Sequence, residues 1–185
     1  MTRLSCCIAL AFVLAGLSAG DARADEDVGM VIDATMIKPL GEDGQVTNSS
    51  GFGGELRMLP HRDCFTMSIG GFFGLGLQEE GRTARDIYDF HFNAGLKSER
   101  SRGKHLIPFV SVGLNVLFMT THEPAGGEYR GTTLGLNARA GLMGYLSERW
   151  VYRASASYLG AIVPGTGDDL GGLVLQVGVG KLFGD

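Results

Sequence analysis

Seven ionisable side chains recur along the chain in the same kind of setting: Asp33, Glu55, Arg57, Asp89, His91, Arg139 and Arg153. Each sits on the small or polar side of a stretch whose alternate positions are bulky and apolar. Three carboxylates facing three guanidiniums suit mutual pairing, because the planar Arg fork matches a carboxylate through two parallel donors. In a narrow, partly dry interior such charges must pair. A structural salt-bridge network filling that interior is the favoured reading, and a gated or leaky pore lined by the same groups is the functional alternative. The network predicts Arg139 beside Glu55 or Asp33.

Other chemistry is less well served. Nucleophilic catalysis needs a serine within reach of a histidine. His61 and His105 fall on the side of the turns, His91 faces the interior, and His122 lies in a long connection. Ser49 or Ser50 would meet His122 only through loop proximity, so no catalytic residue is assigned. Glu42, Asp43, Glu79, Glu80, Glu123, Glu128, Asp168 and Asp169 are carboxylates of the kind hard cations favour. They lack the spacing of a dedicated calcium loop, and solvated loop residues account for them, so neither a metal nor a cofactor is expected. The glycine-rich stretches GGFFGLG (70–76) and GVGKLFG (178–184) open no helix and make no phosphate loop. Their glycines suit close packing and curvature instead.

The elements that must position these residues are strands. In FTMSIGGFFGLGLQ (65–78) the odd positions are Phe, Met, Ile, Gly, Phe, Leu and Leu, while the even ones are small or polar except Phe72. A period of two marks a strand with unlike faces. The pattern predicts eight strands, over 28–38, 51–60, 65–78, 86–97, 105–120, 130–146, 149–162 and 171–183. Ile107, Phe109 and Leu117 blur the polar side of the fifth. Connections alternate between longer, mostly acidic loops and short turns, with SERSRGK the one longer exception among the turns, the rhythm of an up-and-down barrel.

Composition narrows the class. Charged residues make up 19 %, glycines number 30, prolines 5, and the formal charge of −4 leaves no basic footprint for nucleic acid. Residues 1–24 read as a secretory signal peptide: Arg3, an apolar run from Ile8 to Leu17, then Ala22-Arg23-Ala24. Residues 25–185 form one barrel domain. With Cys6 and Cys7 in the signal, Cys64 is left without an internal disulfide partner.

Which face meets water decides the fold. The apolar faces carry too many bulky groups for the inside of an eight-stranded barrel, which side chains nearly fill. The opposite faces hold Gly, Ser, Thr and Asn with few Lys or Glu, which suits a crowded lumen. Aromatics gather near strand ends on the apolar side: Phe65, Trp150, Tyr152 and Phe183 at one end, Phe52, Tyr88, Phe118 and Tyr158 at the other. Such girdles mark membrane interfaces. The expected fold is therefore all-β, an eight-stranded antiparallel up-and-down transmembrane β-barrel, whose closure satisfies every backbone group without water.

On this pattern the chain resembles the small eight-stranded bacterial outer-membrane barrels, the group of the outer membrane protein A transmembrane domain, the OmpX-like proteins and the opacity proteins. The final QVGVGKLF is similar to their C-terminal insertion signal, with Lys181 where an apolar residue is usual and Gly184-Asp185 after the aromatic Phe183. The resemblance implies an outer-membrane location, contact with membrane lipid and lipopolysaccharide, insertion by barrel assembly machinery, and a monomer. Some barrels of this size resemble lipid A-modifying enzymes, but no such His/Ser motif stands on a lipid-facing strand, so no enzyme is expected. A structural or surface-interaction role follows, with four outer loops available to a surface partner. The alternatives are a narrow pore or hydrophobic-solute conduit, a lipid A-modifying enzyme, and a soluble lipocalin-like binder.

Overall fold

The computed structural model describes residues 26–40, 45–60, 64–98, 106–147, 149–161 and 171–183. The signal peptide, His61, His105, Glu42, Asp43, Asp168 and Asp169 lie outside them. Eight strands follow in order: β1 (Glu26–Leu40), β2 (Ser49–Pro60), β3 (Phe65–Gly76), β4 (Ala84–Lys97), β5 (Leu106–His122), β6 (Glu128–Tyr145), β7 (Trp150–Ala161) and β8 (Gly171–Phe183). Each pairs antiparallel with the next, and β8 pairs with β1 from Val28↔Phe183 to Leu40↔Gly171, which closes the barrel. The chain is all-β and up-and-down, as the alternation predicts. Differences are confined to strand ends. β3 stops at Gly76 rather than Gln78, and β5 runs on to His122, which is a strand residue instead of a loop residue.

The two faces differ as their periodicity requires. Ile32, Phe52, Ile69, Phe92, Leu114, Leu136 and Val177 all point outward and are exposed. Among the described outward positions, charge occurs only at the strand ends. Lys38, Asp86, His122, Glu128 and Arg130 stand at the long-loop end and Lys181 at the short-turn end. Between them runs an uncharged apolar belt, far larger than the patches a water-soluble monomer exposes. Aromatics line part of it: Phe52, Phe73, Tyr88 and Phe118 are register neighbours across β2, β3, β4 and β5. Phe52 and Phe73 tilt at 6.2 Å, and Phe118 meets Phe90 edge-on at 6.3 Å. Phe65, Trp150, Tyr152 and Phe183 lie toward the short-turn end, and Tyr158 faces Ala138 and Leu173.

The interior is not uniformly small and polar. Ile37, Phe72, Ile87, Leu117, Met119, Leu159 and Val174 pack into a buried layer toward the long-loop end. Val31, Phe109, Met143, Val151 and Leu182, with Tyr145 against them, form a second toward the short-turn end. Phe109 and Leu117, which only blur the pattern in the sequence, are thus core residues. A small barrel is just wide enough for side chains to fill, and apolar end layers keep water from the charges between them. Met143→Ala opens one end layer and should cost about 2–5 kcal/mol, the usual range for such truncations. Urea unfolding of the refolded protein, followed by Trp150 fluorescence, measures this. A change below about 0.5 kcal/mol, the scale of surface substitutions, would show that the layer is not packed core.

Candidate functional site

All seven charged residues that parity assigns to the interior are buried there: Asp33, Glu55, Arg57, Asp89, His91, Arg139 and Arg153. They come from β1, β2, β4, β6 and β7 and converge in one network. Glu55 is its hub. Its Oε1 accepts from Arg57 Nε at 2.9 Å and from Arg153 Nη1, and its Oε2 accepts from Arg139 Nη1. Arg153 also grips Asp33, through Nε at 3.2 Å and through Nη2. The predicted Arg139 pairing therefore falls on Glu55, and Asp33 goes to Arg153.

His91 ties in the remaining acid. Its Nδ1 lies 2.5 Å from Asp89 Oδ2 and donates to it, since a carboxylate only accepts. Its Nε2 lies 3.2 Å from Glu55 Oε2 and 3.3 Å from Arg139 Nη2. A charged ring would donate to Glu55 and a neutral one would accept from Arg139, so both states have a partner. Asn115 Nδ2 donates to Asp89 Oδ1 at 3.0 Å. Arg57 stacks over the Phe109 ring at 4.1 Å, which joins the charge layer to the apolar layer beneath it.

Glycines on the intervening strands let these partners meet. Gly178 of β8 is the register neighbour of Asp33 on one side and Arg153 on the other. Gly70 of β3 stands likewise between Glu55 and His91. A Cβ on Gly178 would lie 2.3 Å from both Asp33 Oδ1 and the Ile32 carbonyl oxygen. Each glycine therefore leaves the gap over which two charged side chains close.

Two buried cations escape the sequence reading, Arg85 and Lys97. Arg85 precedes the predicted start of its strand and Lys97 is its last residue, where parity is hardest to assign. The catalytic candidates are not brought together. Ser49 Oγ donates to the Arg85 carbonyl oxygen at 2.6 Å, whereas His122 Nε2 lies 3.1 Å from Asp86 Oδ2. Ser50 is exposed on the outward face. Among the described residues no group of three or more His, Cys, Asp or Glu side chains is arranged to hold a metal ion.

At the long-loop end, the segment before β2 clasps the one before β4. Val46 and Thr83 form a parallel bridge, with Thr47 N donating to Thr83 O and Thr83 N to Gln45 O, both at 2.9 Å. Arg82 reaches across, donating to the Val46 carbonyl oxygen at 3.1 Å while pairing with Glu79. This clasp ties two connections of the long-loop end into one platform.

The hub geometry ranks the substitutions. Glu55→Ala leaves three buried guanidiniums without their shared acceptor and should cost about 3–5 kcal/mol. Arg139→Met leaves Glu55 with two arginines and His91, so its cost should be clearly smaller. Parallel urea titrations of the two variants test the order, and a loss from Arg139→Met that equals or exceeds that from Glu55→Ala would remove Glu55 as the hub.

No protein-family model matches the chain, and neither does any curated protein sequence. Solved structures do. Neisserial surface protein A is 13 % identical with a TM-score of 0.62, the alignment covering 88 % of this chain and all of that one. The outer membrane protein OprG from Pseudomonas aeruginosa is also 13 % identical at a TM-score of 0.62, over 88 % of this chain and 98 % of its own. Ail, the attachment invasion locus protein of Yersinia pestis, solved in complex with the heparin analogue sucrose octasulfate, is 17 % identical at 0.55, over 85 % and 97 %. The chain thus has the fold of the small eight-stranded outer-membrane barrels.

Proposed function

We propose that this chain is a Gram-negative outer-membrane barrel, monomeric and non-enzymatic, whose plugged body holds surface loops for a structural or interaction role. The observation that carries the reading is the uncharged outward belt wrapped around a filled interior. On β4 the belt runs from Tyr88 to Leu96, in line with the roughly 9–11 residues a tilted strand needs to cross hydrocarbon. Lipid, and lipopolysaccharide in the outer leaflet, would cover it. In this reading both termini and the short turns face the periplasm, and the long loops face outward. Insertion would fall to the barrel assembly machinery, and a surface partner would engage the loop platform.

The alternatives have less support. Two apolar layers across the lumen weigh against a pore or a hydrophobic-solute conduit. The separate engagements of Ser49 and His122 weigh against lipid A modification, and the exposed apolar belt weighs against a soluble lipocalin-like binder. A polysulfated ligand like the one bound to Ail is also a poor match, since Glu79, Glu80, Glu123 and Glu128 are all exposed at the outer end.

Expression of the full chain in a Gram-negative host tests the reading. The protein should fractionate with the outer membrane and shift in gel mobility on boiling. In intact cells an impermeant maleimide should label Glu80→Cys, made in a Cys64→Ser background. Wild-type Cys64, exposed beside the β2–β3 turn, should label only after lysis. Recovery as a soluble periplasmic protein would overturn the location, and the reverse labelling pattern would overturn the orientation.

A further inference from the structure

Lys181 is an outward-facing cation near the end of β8. Among the described strand residues it is the only cation at an outward position at the short-turn end. It is exposed, and it forms no ion pair with any described residue. Its register neighbours are apolar, Trp150 on β7 and Met30 on β1. Its Nζ lies 5.5 Å from the centroid of the Phe183 ring, two residues along the same strand. A cation thus lies near one aromatic ring, with the sole tryptophan as its cross-strand neighbour, at the level where the apolar belt ends.

We infer that Lys181, Trp150 and Phe183 form a headgroup site for one anionic phospholipid of the periplasmic leaflet. The inference rests on the outer-membrane reading above and adds a specific ligand class to it. The ammonium supplies the charge complementary to a lipid phosphate, while the indole and phenyl rings lie against the first carbons of the acyl chains. Lys is suited to this position because its four-carbon stem stays on apolar surface while the head reaches the interface. Aromatic rings prefer the same depth.

The chain contains a single tryptophan, and that residue is Lys181's cross-strand neighbour, so its fluorescence reports on this site. Protein purified from the outer membrane of the expression host is reconstituted into phosphatidylcholine bilayers. Brominated phosphatidylcholine or brominated phosphatidylglycerol is then titrated in, and quenching of Trp150 gives the relative binding constant of each lipid. Wild type should favour the anionic lipid by about fivefold, the preference expected for one lysine near the surface. Lys181→Gln should abolish that preference yet keep quenching by the neutral lipid. Lys38→Gln, on the outward face at the opposite end, should leave it intact. Equal constants in wild type, or a preference that survives Lys181→Gln, would overturn the headgroup site while leaving the membrane reading standing. Absence of quenching by either lipid would overturn both.

Discussion

An open eight-stranded sheet would expose two rows of unpaired N–H and C=O groups, and the pairing of β8 with β1 removes both. That closure imposes the remaining features. It gives every strand one inward and one outward face, so alternation along each strand becomes separation between a lumen and a belt. It also makes an apolar exterior tolerable, because no backbone group is left needing water. With eight strands the enclosed space is narrow, and side chains must fill it.

The filling is layered. Charges occupy the middle, where Glu55 gathers three arginines, and apolar side chains close the space above and below. Each layer depends on the other. Burying a charge is strongly unfavourable unless partners satisfy it, and the apolar layers exclude the water that would otherwise compete with those partners. Three guanidiniums on one carboxylate would be unbalanced, and Asp33 and Asp89 restore the balance through Arg153 and His91. The arrangement stabilises by mutual satisfaction, which is why removing the shared acceptor is costlier than removing one donor.

The ends of the barrel are built differently. At the long-loop end charged and polar groups gather on the outward rim and two connections are clasped by a parallel bridge. The short-turn end has tight turns between β2 and β3 and between β6 and β7, aromatic rings and one outward cation. The middle of the belt has neither charge nor polarity to spare. This difference between the two rims gives the scaffold a direction.

The period of two determined a great deal by itself, because in a closed barrel facing is a property of each residue's parity and needs no knowledge of its neighbours. Eight strands, their unlike faces and the inward position of the seven charged residues were legible on that basis. Parity fails where composition misleads: Phe72 and Leu117 face inward with the polar set, yet they pack as core. It fails also at strand ends, where Arg85 and Lys97 were missed. Only the tertiary structure decided which charge meets which. Arg153 and Asp33 lie 120 positions apart, and they meet because β7 and β1 flank the same glycine of β8. Registers between strands arise from closure of the whole sheet, and no local pattern along a single strand encodes them.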